Sequence, residues 1–292
     1  MNFWQAIFLG FVQGVTEFLP VSSSAHIRIA GALCGMPDPG AAFTAVIQLG
    51  TETAVILYFR KDIARILSNW FRTLFGADGK DLKSRLGERN ADAKLGWYII
   101  VGTVPIVAIG LLFQKQIQTV LRNMWVTAIV FIVFGILLWY FDEKSKQDKK
   151  IEELNLKDSI CYGLGQMLAL IPGVSRSGGT ITVGRAMGYT REAAARISFL
   201  MAIPAVFGAG ILETFKAVKD VNSTPNFPGW PAVITATLVS FVVGYLLIIV
   251  FLKIVSTYSY KPFCIYRIAL AILLIVLMSC GVLDPMAGTE FM

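Results

Sequence analysis

Apolar residues dominate six long stretches of the chain, near 41–59, 97–113, 124–141, 194–212, 232–252 and 263–281. Crossing a hydrocarbon core about 30 Å thick takes roughly 20 helical residues, so each stretch predicts one spanning helix. A transmembrane barrel would need alternating strands of about ten residues, and these stretches are continuous instead. The pattern predicts an all-α membrane protein with six transmembrane helices.

Two further stretches, 3–35 and 159–190, are apolar but broken. In the first, Gln13 and Glu17 are four apart and share a helix face. Pro20 then ends the helix, and Ser22, Ser23 and Ser24 follow; serine caps helix starts well, so a second short helix is expected there. In the second, Gln166 precedes Pro172, and Ser175, Arg176 and Ser177 lead into Gly178, Gly179 and a new helix containing Thr180. Set side by side, QGVTEFLPVSSS and QMLALIPGVSRS both place Gln nine residues before the first Ser, with Pro just ahead of the hydroxyls.

This is an internal repeat. Each copy is followed by three spans, so the second copy enters the membrane from the opposite side. The expected architecture is therefore six transmembrane helices plus two re-entrant broken-helix segments in an inverted-topology repeat. The first segment would dip in from outside and the second from the cytoplasm. Irregular backbone at membrane depth is tolerated where it lines a cavity or is buried in protein, so both serine turns should converge near the midplane. Ordinary spans kinked by proline are the alternative, but they would not need Glu17, which costs about 2.5–3.5 kcal/mol at bilayer depth.

The chain reads as one integral membrane domain, with repeat 1 at about 1–141, a cytoplasmic linker at about 142–158, repeat 2 at about 159–282, and a tail at 283–292. The last residues, Gly-Thr-Glu-Phe-Met, read as an appended remnant without function. The first basic residue is Arg28, so the N-terminus lacks the charged region of a signal peptide and is expected to stay in the fold.

Composition agrees: the chain is 55% hydrophobic and 15% charged, where a soluble domain would carry about 25% charge. Its net charge of +7 would suit nucleic acid, but the distribution along the chain explains it better. Nine basic residues lie between the first and second spans (Arg60, Lys61, Arg65, Arg72, Lys80, Lys83, Arg85, Arg89, Lys94), and five between the third and fourth (Lys144, Lys146, Lys149, Lys150, Lys157). Those loops should be cytoplasmic. The intervening loops hold only Lys115 with Arg122, and Lys216 with Lys219, while the tail after Val282 has none. Cys34, Cys161, Cys264 and Cys280 form no CxxC pair and read as small buried hydrophobes. GxxxG spacings at Gly10/Gly14, Gly31/Gly35 and Gly184/Gly188 permit close helix packing and leave a homodimer open.

The stretch PGVSRSGGT, 172–180, reads as a phosphate cradle. Backbone N–H groups at a helix start attract anions. Glycines allow close approach, and Arg176 offers a planar fork for two phosphate oxygens. It lacks the Gly-Lys-Ser/Thr ending of a nucleotide-binding loop. An Arg176 that merely snorkels to an interface would leave the neighbouring hydroxyls idle. The facing segment supplies an acid, three serines and the only histidine, His26, one turn after Ser23. Serine, a base and a cationic clamp suit phosphoryl transfer.

Together, QGVTEFLPVSSSAH, PGVSRSGGT and SFLMAIP at 198–204 resemble the bacterial undecaprenyl pyrophosphate phosphatase family, the integral-membrane type known for bacitracin resistance. The resemblance covers nearly the whole chain, with two long motifs in order. It implies hydrolysis of undecaprenyl diphosphate to undecaprenyl phosphate and inorganic phosphate in the bacterial cytoplasmic membrane, recycling the lipid carrier of peptidoglycan synthesis. It also implies a divalent metal ion (Mg2+ or Ca2+), a polyprenyl diphosphate and membrane lipids as partners, and no nucleic acid.

Carried over by position, the family's E/Q-xxx-E motif falls on Gln13 and Glu17, its serine–histidine stretch on Ser22, Ser23, Ser24 and His26, and its PGxSRSxxT motif on Pro172 through Thr180. The resemblance implies that Ser23, His26 and Glu17 are catalytic: Ser23 is the expected nucleophile, with His26 as general base or holding the base and Glu17 binding the metal or accepting the proton, while attack on phosphorus by His26 instead stays open. Arg176, Ser175, Ser177, Thr180 and Gly173, with Ser22 and Ser24, would hold the diphosphate, and Glu17 and Gln13 the metal. Many members carry Glu where this chain has Gln13. Glu52, four residues after Gln48, is expected either to face the cavity and partly replace that carboxylate or to hydrogen-bond between helices. A transporter or flippase for an anionic lipid is the alternative function, since inverted repeats with broken helices also describe transporters. That function needs an anion clamp but no nucleophile and base.

Overall fold

The computed structural model describes residues 1–113, 123–219 and 227–286. These residues form twelve α-helices: α1 (Phe3–Thr16), α2 (Ser23–Leu33), α3 (Gly40–Tyr58), α4 (Arg60–Leu74), α5 (Leu82–Arg85), α6 (Ala91–Leu112), α7 (Met124–Lys144), α8 (Leu156–Leu168), α9 (Arg176–Ala186), α10 (Arg191–Lys219), α11 (Trp230–Thr257) and α12 (Lys261–Ser279). A 3-10 turn at Ile151–Glu153 precedes α8, and no strand occurs among the described residues. Five helices, α6, α7, α10, α11 and α12, are long and apolar enough to cross a membrane. A sixth span is reached if α3 and α4, bent by 79° at their junction, count as one. Lys115, Arg122 and the Gly-Thr-Glu-Phe-Met tail lie outside the described residues.

Both broken segments are present. α1 stops at Thr16 and α2 starts after Ser22; α8 stops at Leu168 and α9 starts after Ser175. The prolines at 20 and 172 cannot donate to a continuing helix ladder. Each chain reversal then passes through a serine in left-handed backbone, φ 71° at Ser22 and φ 70° at Ser175, a conformation uncommon outside glycine. The serine cap expected at the first break occurs at the second instead: Ser175 caps α9, its Oγ accepting from the Gly178 N–H at 3.1 Å. Ser22 occupies the same position but makes no side-chain cap bond.

Packing follows from small residues at the crossings. α1 lies against α11, and α8 lies against α6. A Cβ built at Gly10 would come within 2.5 Å of the Ala236 carbonyl, and one at Gly163 within 2.5 Å of the Gly102 carbonyl. The Gly10/Gly14 spacing is thus consumed inside the protomer. α3 packs on α10 and on α11, α7 packs on α12, and α9 sits among α7, α8 and α10. Phe18, within the first break, meets Phe199 of α10 edge-on at 5.4 Å, so the first broken segment is built into the core.

The linker expected at 142–158 is firmly tied down. Asp142, buried in the last turn of α7, accepts from Arg185 Nε and Arg191 Nε, both at 2.9 Å, and from the Tyr260 N–H at 3.0 Å. Two further readings are corrected. The basic stretch 60–94 is not one loop but contains α4 and α5, Ile63, Ile66 and Trp70 recurring at helical spacing among the charges. Of the cysteines, only Cys264 is fully buried; Cys34 and Cys280 are exposed where α2 and α12 end, and all four are free.

Candidate active site

Glu17 sits at the break between α1 and α2, buried and almost fully bonded. Its Oε2 accepts from Gln13 Nε2 at 2.7 Å and from Ser23 Oγ at 2.6 Å; its Oε1 accepts from Arg176 Nη2 at 2.7 Å. The Gln13 bond follows from their i, i+4 spacing on α1. The Ser23 bond needs the chain reversal, which returns the start of α2 to the end of α1. Arg176, the first residue of α9, reaches across from the second broken segment. The same Nη2 lies 2.8 Å from Glu52 Oε1 on α3, so one guanidinium is shared by two buried carboxylates. The structure therefore brings Gln13, Glu17, Ser23, Glu52 and Arg176 into one cluster.

Several polar atoms of this cluster have no hydrogen-bond partner among the described residues: Gln13 Oε1, both Glu52 oxygens and Arg176 Nη1, all buried. Oε1 of Glu52 is close to Arg176 but outside bonding alignment. Buried polar groups are nearly always satisfied, so such a concentration marks a place where something else binds. All the unmatched acceptors are oxygens, the donor type preferred by hard divalent cations. Among the described residues no group of three or more His, Cys, Asp or Glu side chains gathers to hold a metal. The set on offer is two carboxylates and an amide oxygen. Mg2+ is commonly held by one or two carboxylates, with waters and substrate phosphates completing its shell.

His26 is placed differently from the sequence expectation. Its Nδ1 lies 2.8 Å from the Ser22 carbonyl, and its Nε2 lies 2.7 Å from the Tyr266 hydroxyl of α12. A carbonyl only accepts, so Nδ1 carries the hydrogen and Nε2 receives the tyrosine O–H. The two rings are stacked with centroids 5.6 Å apart. His26 thus makes no hydrogen bond to Ser23; the base bonded to Ser23 is Glu17.

The remaining expected site residues divide. Ser177 and Thr180 are fully buried, and their hydroxyls bond to protein groups. Ser177 Oγ donates to the Leu19 carbonyl at 3.0 Å, and Thr180 Oγ1 shares a 2.6 Å bond with Ser198 Oγ. Ser175 Oγ serves as the α9 cap. Gly173 turns at φ 99°, where a Cβ would come within 2.9 Å of the Thr127 carbonyl. Ser22 and Ser24 stand 3.5 Å apart, Ser22 buried and Ser24 exposed.

Two residues were missed from the sequence. Tyr266 gave no signal. Arg267 did: it is a charge inside an apolar run, the same cue as Glu17. It is fully buried and donates from Nη1 to the Pro20 carbonyl at 2.9 Å and the Val174 carbonyl at 3.2 Å, and from Nη2 to the Gly173 carbonyl at 2.7 Å. One side chain thus binds the backbone of both breaks.

Beside the cluster lies a cavity of about 570 Å³ between α3, α6 and α10, its walls including Ile106, Leu111, Leu170 and Val206, with Gln48 and Arg176 among its few polar residues.

With this geometry in hand, comparison with known proteins is specific. The family described as "Bacitracin resistance protein BacA" matches residues 6–273. A protein of Bifidobacterium animalis subsp. lactis named undecaprenyl-diphosphatase is 64% identical over 288 residues, 99% of this chain and 98% of its own. The protein of that name from Bifidobacterium adolescentis is 66% identical over 287 residues, 98% of each chain. That from Thermobifida fusca is 51% identical over 291 residues, covering 100% of this chain and 95% of its own.

Proposed function

The chain belongs to the bacitracin resistance protein family, and from that premise we propose how its residues carry out the reaction its relatives are named for. The protein is an undecaprenyl-diphosphatase, a multi-pass membrane enzyme that converts undecaprenyl diphosphate to undecaprenyl phosphate and inorganic phosphate. It thereby recycles the carrier lipid and confers resistance to bacitracin. The transporter alternative gives way to this reading. Its membrane is the bacterial cytoplasmic membrane, in keeping with the basic loops.

The observation that carries the mechanism is the bonded set Ser23–Glu17–Arg176, which joins the two broken segments. The Glu17 carboxylate takes the Ser23 hydroxyl proton as Ser23 Oγ attacks the terminal phosphorus. The bond from that phosphorus to the bridging oxygen breaks, and undecaprenyl phosphate leaves with the bridging oxygen. Water then cleaves the phosphoserine, restoring the serine hydroxyl and releasing inorganic phosphate. Arg176 turns its unmatched Nη1 to the diphosphate and offsets charge that develops in the transition state. His26, held by the Ser22 carbonyl and the Tyr266 hydroxyl, would pass a proton to the leaving oxygen or to water.

With Glu17 and Glu52 ionised and Arg176 charged, the cluster carries one net negative charge. A diphosphate would be repelled unless a cation joined it. Glu17, Glu52 and Gln13 Oε1 would hold a divalent cation, Glu52 partly replacing the carboxylate that many relatives have at position 13. Bound there, a divalent cation would offset diphosphate charge and supply Lewis-acid chemistry at the phosphoryl group.

The inverted repeat is supported by matched packing. α1 on α11 corresponds to α8 on α6, the pairs α3–α10 and α7–α12 map onto themselves, and Ser22 corresponds to Ser175. Both breaks then meet within the bilayer, and the apolar cavity beside Arg176 receives the prenyl chain.

The test is phosphate release from undecaprenyl diphosphate by purified protein in detergent, with and without chelator, beside acid-quenched trapping of phosphoserine. Trapped phosphate on wild type and none on Ser23→Ala is expected. Wild-type turnover by Ser23→Ala would move the nucleophile elsewhere.

A further inference from the structure

α4 does not continue the line of α3 but turns off it by 79°, and it crosses the first turns of α6. Arg65 Nε reaches Asp92 at 3.1 Å, Trp70 packs on Gly96, and the Trp70 and Trp97 rings meet at 5.2 Å. Residues 92–97 begin a spanning helix, so α4 lies level with the edge of the hydrocarbon core. Tryptophans are concentrated at that depth.

At 100° per residue α4 has three faces. Ile66, Trp70 and Thr73 face α6. Leu67, Phe71 and Phe75, at i, i+4 and i+8, form a second face and stay exposed, Phe75 to 81%, although all three are large and apolar. Leu82 and Leu86, after the following turn, are exposed as well. Lys61, Arg65 and Arg72 form the third face, flanking the apolar stripe. Arg65 is paired with Asp62 and Asp92. Lys61, Arg72, Lys83 and Arg85 are exposed and make no ion pair among the described residues. Residues 60–94 hold nine basic and five acidic residues, a net charge of +4.

We propose that α4 and α5 form an interfacial lipid-binding element: Leu67, Phe71 and Phe75 insert among acyl chains of the cytoplasmic leaflet, and Lys61, Arg72, Lys83 and Arg85 bind headgroups of anionic phospholipids. A helix with one apolar face and a basic flank lies in the plane of an interface rather than across it. Each basic group near an anionic surface favours it severalfold. A soluble partner protein would need no such depth: the stripe would point into water, not along the edge of the spans.

The experiment uses the full chain, with its four cysteines replaced, in lipid nanodiscs of mixed phosphatidylcholine and phosphatidylglycerol. A bimane fluorophore is attached at Phe71→Cys or Phe75→Cys. Quenching by phospholipid carrying a nitroxide high on its acyl chain, and protection from aqueous iodide, is the expected result. Quenching by iodide without lipid quenching would overturn the proposal and favour a soluble partner. Separately, the ratio of phosphatidylglycerol to phosphatidylcholine retained on purification is compared between wild type and K61Q/R72Q/K83Q/R85Q. A drop of roughly fivefold per strongly engaged charge is expected; an unchanged ratio would overturn the headgroup assignment. The fluorophore readout does not depend on the four-residue variant folding.

Discussion

Arg176 Nη2 lies 2.7 Å from Glu17 and 2.8 Å from Glu52, so a guanidinium from the second broken segment is clamped by carboxylates from the first half of the chain. Neither carboxylate could stay ionised and buried beside the other without it.

Arg176→Ala is therefore expected to cost twice. Turnover of undecaprenyl diphosphate should fall by at least about a hundredfold, the contribution of one preorganised charge donor. Stability should fall by about 3–5 kcal/mol, because two buried carboxylates lose their counter-charge. Arg176→Lys should recover stability better than turnover, since an ammonium neutralises charge but lacks the planar fork. Phosphate release and denaturant unfolding in detergent check both parts.

Glu52→Gln keeps the shape of the side chain and removes its charge. The divalent-ion concentration giving half-maximal turnover should rise on the order of tenfold, with saturated turnover less affected. An unchanged metal dependence would restrict Glu52 to bracing Arg176 between helices.

Tyr266→Phe removes the hydroxyl bonded to His26 Nε2 but keeps the stacked ring. About 1 kcal/mol, roughly fivefold, should be lost from kcat with KM unchanged. Tyr266→Ala should lower kcat further and also disturb KM. Steady-state kinetics of the two variants distinguish a positioned histidine from simple packing.

Arg267→Met fits the space but leaves the carbonyls of Pro20, Gly173 and Val174 without their donor. Each orphaned carbonyl costs about 1–3 kcal/mol. Both the unfolding midpoint and turnover should fall, although Arg267 makes none of the contacts expected of a substrate ligand. Normal turnover by this variant would show that the two breaks hold their positions without it.

Much of this arrangement could be read before the structure was seen, because it rests on local pattern. The apolar runs mark the long helices, and Pro20 and Pro172 with their following serines mark the breaks. The pairing of Glu17 with Gln13 is helical spacing alone. Arg267 and Tyr266 act on partners more than 90 residues away in the chain, and no period announces such contacts. The protein partners of Ser177 and Thr180 are hidden for a related reason. A hydroxyl next to a glycine suggests a ligand, but the close helix approach that glycine permits also supplies carbonyls and hydroxyls to bond it. α4 was hidden by its charges, which outweighed an apolar spacing of three and four.

The cavity beside Arg176 has consequences for kinetics as well as for binding. Its walls include Val107 and Leu111, which are 44% and 62% exposed on the outer surface of the helix bundle. A substrate arriving there travels within the membrane plane, so the concentration that governs the enzyme is the mole fraction of diphosphate lipid among its neighbours. Adding detergent or inert phospholipid at constant total substrate would slow the reaction by surface dilution while leaving every catalytic group untouched.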